Sequence, residues 1–144
     1  MTSPVQREFL PEIFGMVRAI RKRFNARAVA IGMTYARAQA LMGVAVREGL
    51  TQAELAERLD IRTPSMNRTL DHLEEQGLIE RRACAQDKRI RQLYLTPMAR
   101  AQAEDVVGFT EDLRREVYRG ISEDELAQTL SVIRRIQKNL DGMA

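Results

Sequence analysis

The sequence predicts a mainly helical (α+β) fold: a winged helix-turn-helix with additional N- and C-terminal helices that serve dimerisation. Three observations carry that expectation. Helix-start signatures recur along the chain at Thr34, Thr51, Thr63-Pro64, Thr96-Pro97 and Ser122. Between Thr51 and Gly77 two short helical segments are separated by only a three- or four-residue turn, the spacing of a helix-turn-helix. After Gly77 the helical period is lost, and two short mixed runs flank a charged, polar tip, as in a two-stranded ribbon.

Taken in order, residues 6–31 place Leu10, Ile13, Phe14, Val17, Ile20, Phe24, Ala28 and Ile31 at spacings of three and four. That is a long amphipathic helix, broken near Gly32. Pro11 belongs in its first turn, where the missing N–H is harmless, which moves the expected start a few residues downstream. Thr34 caps a second helix through Leu41, Met42 and Val46 to Glu48, ended by Gly49. Thr51-Gln52-Ala53-Glu54 is a capping box opening a short helix that ends near Leu59. Thr63 then caps a fourth helix with Pro64 at its first position, running to Gln76 and stopped by Gly77. Leu78–Ala83 and Ile90–Leu95 are the two strands, and Cys84–Arg89 is the hairpin tip. Thr96-Pro97 opens a helix to about Tyr118, ended at Gly120. Ser122–Glu125 is a further capping box, and the helix it opens aligns Leu126, Leu130, Ile133, Ile136 or Gln137, and Leu140.

At 144 residues the chain is expected to form one domain, with the reader at 34–96 and dimerisation helices at 1–33 and 97–144. A winged helix alone needs about half this length, so the terminal stripes are left over. Burying them is worth about 25 cal/mol per Å², and a symmetric dimer of interdigitated terminal helices achieves it. The alternative is that these helices pack on one another within one chain. No apolar run approaches the ~18 residues of a membrane span, and Glu8 and Glu12 interrupt the segment where a secretory signal would lie. A single Cys excludes an internal disulfide and fits a reducing cytoplasm. With one His beside it, no Cys/His metal site is expected, and no cofactor.

The net charge of +3 conceals a strong asymmetry. Residues 81–91 set Arg81, Arg82, Lys88, Arg89 and Arg91 against Asp87 alone. Residues 13–47 hold seven basic residues and no acid, whereas 48–80 hold three Arg against eight acids. Concentrating positive charge on a hairpin tip suits phosphate binding, because each neutralised phosphate releases counterions. The basic block of the first helix reads equally well as a solvated face or as a lining for DNA or a ligand anion.

Helical geometry orients the fourth helix. Met66, Leu70 and Leu73 share a narrow arc and face the core, while Arg68 lies about 200° from Met66. Pro64 and Ser65 point outward at the N-terminal end, Asn67 flanks the outward arc, and Thr69 sits nearer the core edge. The N-terminal half of a recognition helix enters the major groove, so Arg68 is the candidate for bidentate contact with guanine. Asp71 and Glu75 also face outward but lie deeper along the helix, where they would repel phosphates if close, so only the first two turns are expected to enter the groove. On the wing, Arg89 suits a narrow minor groove, with Asp87 two residues before it to fix its direction. Lys88 and Arg91 are assigned to phosphates. The candidate DNA contacts are therefore Thr63, Pro64, Ser65, Asn67, Arg68, Thr69 and His72 on the helix, with Arg82, Asp87, Lys88, Arg89 and Arg91 on the wing.

These residues resemble a known family. Leu50–Ala56, Pro64–Asp71, Gly77-Leu78-Ile79, Asp87-Lys88-Arg89 and Leu95-Thr96 are similar to the MarR family of bacterial transcription regulators. Pro64–Ile79 and the Cys84-Ala85-x-Asp87-x-Arg89 wing resemble its SlyA branch most. The resemblance follows the whole chain in helix order, with its sharp motifs at 50–96. It implies a triangular homodimer on a pseudo-palindromic operator, with Arg68 as the recognition-helix arginine and Asp87–Arg89 as the wing-tip pair. It further implies relief by a small aromatic or phenolic anion held in a crevice between reader and dimerisation helices. For that crevice Arg18, Tyr35, Arg37 and Met42 are candidates.

Two other readings stay open. Cys84, beside Arg81 and Arg82, is placed where positive charge favours a thiolate, which would make an oxidant-sensing regulator; it equally suits a small residue filling a hairpin position. Relatives that sense oxidants use a cysteine in the N-terminal helical region, where this chain has none. An architectural or adaptor winged helix would use its reader for protein contacts, and would present an apolar or acidic face rather than Arg68, Ser65 and a basic wing. An enzyme is not expected: there is no glycine-rich phosphate loop, and the only His lies on the recognition helix.

Overall fold

The computed structural model describes residues 1–144 as six helices and one two-stranded antiparallel sheet. In chain order these are α1 (Pro4–Ala30), α2 (Tyr35–Val46), α3 (Gln52–Arg58), α4 (Thr63–Glu75), β1 (Ile79–Ala83), β2 (Arg91–Leu95), α5 (Ala99–Val117) and α6 (Glu123–Asp141). The chain divides into two compact units, Met1–Glu111 and Asp112–Ala144. No single helix is long and apolar enough to cross a membrane.

Local chemistry explains most boundaries. α1 begins earlier than the hydrophobic pattern indicates, because Ser3 and Gln6 form a capping box and Pro4 takes the first helical position. Pro11 is consequently a mid-helix residue, which corrects its expected place in the first turn. It forgoes one ladder hydrogen bond there, and 27 residues of continuous helix absorb the loss. α4 also starts one residue early. The Met66 N–H is already taken by the Arg62 carbonyl at 2.9 Å, so Arg62 is the cap residue and Thr63 lies inside the helix, making no side-chain cap. Thr34, Thr51 and Ser122 cap α2, α3 and α6 as their sequences predict.

The joints of the reader are two hydrogen-bonded C-caps of the same design. At the end of α4, Leu78 N–H bonds to the Leu73 carbonyl and Gly77 N–H to that of Glu74, both at 2.9 Å, with Gly77 at φ 72°. At the end of α3, Ile61 N–H bonds to the Ala56 carbonyl and Asp60 N–H to that of Glu57, with Asp60 at φ 52°. Asp60 is the single non-glycine residue in the left-handed region, a conformation that a short polar side chain tolerates. This joint sets the turn between α3 and α4.

In the Met1–Glu111 unit the core is aliphatic: Leu41, Val44, Leu55, Met66, Leu70, Leu73, Ile79, Leu93 and Val106 are fully buried. Phe24 of α1 packs edge-on against Tyr35 of α2 and Phe109 of α5, with ring centroids 5.2 and 4.9 Å away. β1 and β2 pair from Ile79↔Leu95 to Ala83↔Arg91. A short third segment, absent from the sequence reading, lies along the other edge of β2. Gly49 N–H reaches the Leu93 carbonyl, Leu93 N–H reaches that of Leu50, and Thr51 bridges to Gln92. α1 leaves Phe9, Leu10, Phe14, Val17 and Ile20 exposed. In the Asp112–Ala144 unit, Leu126, Ile133 and Ile136 of α6 are half-buried, and Leu130 and Leu140 are exposed.

Candidate nucleic-acid interface

α4 presents two chemically distinct faces. Met66, Leu70 and Leu73 are buried, while Thr63, Pro64, Ser65, Asn67, Arg68 and His72 are exposed and Thr69 is half-buried. The opposition follows from the 100° step of the helix, and Arg68 stands out from the face opposite Met66 without an ion-pair partner. His72 lies 3.9 Å from Glu75, at the limit of an ion pair. Gln52 of α3 donates from its side-chain amide to the Asn67 side-chain oxygen, so the two helices of the motif are tied through a prospective base-reading residue.

The wing tip is a local turn organised by one carboxylate. Asp87 accepts from the Arg89 backbone N–H at 3.0 Å and from Arg89 Nε and Nη2 at 3.1 Å each. Ile90 N–H closes the turn on the Asp87 carbonyl. The Arg89 guanidinium bonds hold the Asp87 carboxyl below the usual carboxylate range, with the Arg89 backbone N–H adding to the effect. Arg89 nonetheless remains 91% exposed while Asp87 is 33% exposed. The result is a projecting cation whose direction is fixed by its base. Lys88 is exposed beside it.

Strand alternation sorts the remaining wing residues. Ile79, Arg81 and Ala83 face the same way as Arg91, Leu93 and Leu95, toward the helices; Glu80, Arg82, Gln92 and Tyr94 take the other face. Arg91 therefore shares a polar hollow with Gln52, Asn67, Asp71, Glu74 and Arg81. Arg82, placed with the DNA contacts from sequence, sits on the opposite face. There its guanidinium donates to Glu80 at 2.9 and 3.2 Å and lies over the Tyr94 ring, 4.0 Å from the centroid. Arg81, not among the sequence candidates, proves to be the residue that reaches α4: it donates to Asp71 at 2.6 Å and to the Asn67 carbonyl at 3.2 Å. The parity of Ile79 and Arg81 carries the signal for its facing, but its partner Asp71 is visible only in three dimensions. With Arg81 and Arg82 turned to these partners, Cys84 is half-buried and donates from Sγ to Gln86 Oε1 at 3.0 Å.

A cavity of about 250 Å³ opens among α1, α2 and α3, lined by Ile20, Arg21, Phe24, Tyr35, Gln39, Met42, Gly43, Val46, Arg58 and Leu59. Tyr35 and Met42 are on its wall, whereas Arg18 and Arg37 lie outside it. The cationic lining comes from Arg21, whose guanidinium carbon is 5.5 Å from the Tyr35 ring centroid, and from Arg58 of α3. Arg21 is one helical turn beyond Arg18, and the choice between them depends on how α1 lies across α2. The cavity is closed by Arg58 and Leu59 at the end of α3, and no residue of α5 is on its wall.

Residues 31–90 match the family model of the MarR family. The transcriptional regulator PA3341 superposes with a TM-score of 0.87 at 34% identity, covering 94% of this chain and 99% of its own. The chain belongs to the MarR family. The transcriptional regulator SlyA is similar at a TM-score of 0.80 and 26% identity, over 92% of this chain and 93% of that one. Staphylococcus aureus MarR, in a complex with salicylate and kanamycin, is similar at 0.82 and 26% identity, over 97% and 95% of the two chains. The helices α3 and α4 and the ribbon beyond them are thus the helix-turn-helix and wing of a MarR-family DNA-binding transcription regulator.

Proposed function

We propose that this MarR-family protein is a homodimer that binds a pseudo-palindromic operator in cytoplasmic DNA and represses by occupying promoter sequence. Residues 34–96 form the reader in this proposal, and residues 1–33 and 97–144 the dimerisation helices. The N-terminal turns of α4 enter the major groove, with Arg68 on a guanine edge and Ser65, Asn67, Thr69 and His72 on neighbouring bases or phosphates. Thr63 and Pro64 approach the backbone at the helix start. Arg89, aimed by Asp87, enters the flanking minor groove, and Lys88 and Arg91 meet phosphates. Arg82 takes a phosphate only by leaving Glu80 and Tyr94, so it belongs at the margin of the contact.

The observation that carries this reading is the wing-tip pair: an almost fully exposed guanidinium held by two hydrogen bonds to a single carboxylate, which also accepts the Arg89 backbone N–H. An ordinary surface ion pair contributes little to stability, so its value lies in pointing a cation outward. The cavity supports relief by a small aromatic anion. Tyr35, Phe24 and Met42 offer ring and thioether contacts, Arg21 and Arg58 offer charge, and the related S. aureus MarR is seen with salicylate.

Selection of bound duplexes from a random-sequence pool, with chain stoichiometry measured on the winners, tests the proposal. An enriched inverted repeat carrying two chains is the expected result. Salt-sensitive binding without enrichment would instead make the protein an architectural or adaptor factor.

A further inference from the structure

We propose that Arg81 is a positioning residue that sets the angle between wing and recognition helix, acting through Asp71 and Asn67 without touching DNA itself; this rests on the reading of α4 and the wing as the DNA-contacting surfaces. Four observations converge on it. Arg81 leaves β1 on the helix-facing side of the ribbon and spans the gap to α4, donating from Nη1 to Asp71 Oδ1 at 2.6 Å and from Nη2 to the Asn67 carbonyl at 3.2 Å. Its side chain is only 16% exposed, against 56% for Arg82 and 91% for Arg89. Its Nε is buried without a protein partner. Asn67 is held a second time, through its side chain, by Gln52 of α3.

Stability alone does not call for this arrangement. A covered guanidinium with one idle N–H gives back in desolvation much of what its ion pair gains, and apolar groups of similar volume serve a core as well. Asp71 itself is 58% exposed; what a covered guanidinium with two directed bonds provides is a single geometry, because Asp71 and the Asn67 carbonyl lie on successive turns of α4 and fix both the spacing and the rotation of the helix against β1. Asn67 and Arg68 are adjacent, so the same bonds fix where Arg68 leaves the helix. Asp71 also acquires a reason to sit on a surface that approaches phosphates. Its charge is spent on Arg81.

That assignment gives an opposite sign from simple electrostatics. Removing an acid from a DNA-facing helix strengthens binding if its charge merely repels phosphates. Here Asp71→Asn and Arg81→Gln should each weaken binding to the selected operator about tenfold, the usual scale of coupling within one hydrogen-bonded pair. The double variant should be no weaker than either single one. Arg81→Lys, which keeps a donor for Asp71, should recover most of the affinity. The slope of log affinity against log salt should be unchanged in Arg81→Gln, whereas loss of a direct phosphate contact lowers it by about one.

Operator titrations at several salt concentrations, with circular dichroism on each variant, read all of these. Equal or tighter operator binding by Asp71→Asn overturns the proposal, as does a reduced salt slope in Arg81→Gln. If Arg81→Gln fails to fold, Asp71→Asn and Arg81→Lys decide the matter. Arg68→Ala runs alongside as a control. If it loses operator preference while Asp71→Asn does not, only the positioning role fails. A parent protein that selects no operator overturns the functional reading and the positioning role together.

Discussion

Arg68 and Arg89 reach solvent by different routes, and they should fail differently when removed. Arg68 projects from a helix face with nothing to hold it, so its direction comes from the helix alone. Arg68→Ala is expected to cost about 1–3 kcal/mol on the operator and to relax preference at one base position, measured by repeating the pool selection with the variant. Arg89→Ala should weaken binding chiefly at A·T-rich flanks. The Asp87 bonds add a pH term. Because the folded-state carboxyl is held below its usual range, the pairing is present above the ordinary carboxylate value near 4 and is lost as pH falls through the depressed one. An NMR titration following the Asp87 carboxyl and Arg89 Nε together should show one shared midpoint below that of an isolated aspartate. These two residues were legible in sequence because they lie two positions apart on one turn. Arg81 and Arg21 were not, since their roles depend on which side chain faces them across the fold.

At the scale of elements, end signals are legible at Thr34, Thr51 and Ser122, where a side chain meets its own backbone within four residues. They were misread where competing groups a few residues away decided the outcome. The Ser3–Gln6 box, not Pro11, sets the start of α1 and leaves the proline inside the helix. Thr63 lost its cap role to the Arg62 carbonyl. The strip Gly49–Thr51 along β2 carries no hydrophobic alternation of its own and could be found only through its pairing. The two C-cap joints make a paired prediction. Gly77→Ala places a Cβ in the left-handed region at a cost of about 1–2 kcal/mol and meets Met98 Cε at 3.0 Å, an exposed side-chain end that can swing aside. Asp60→Gly should be tolerated, whereas Asp60→Val should cost an amount similar to Gly77→Ala. Thermal melts of the three variants check this; equal losses at all three would mean that the joints do not control stability.

Over the whole molecule, the order of helices, the reader and the family were legible, because caps and periodicity are local and the motifs of residues 50–96 occur together. The partner of the terminal helices was not, since an apolar stripe specifies that it is covered but not by what. Phe9, Leu10, Phe14 and Val17 of α1, and Leu130 and Leu140 of α6, remain exposed in the single chain, and large apolar side chains clustered on one helix mark an interaction surface. Sedimentation equilibrium should accordingly give twice the 16.4 kDa chain mass at micromolar concentration; a monomer under those conditions would refute the dimer.

A regulator must also find its site among the ~10⁶–10⁹ competing positions of a genome, and the acid on the wing tip bears on that search. Without Asp87 the tip would offer two unrestrained cations to every phosphate it met, lengthening each futile stop along the duplex. With Asp87, one negative charge lowers the attraction to DNA in general while keeping the guanidinium aimed for the one groove that fits it. Asp87→Asn should therefore linger longer on random DNA and discriminate less, so that a change which adds net positive charge yields a regulator slower to find its site.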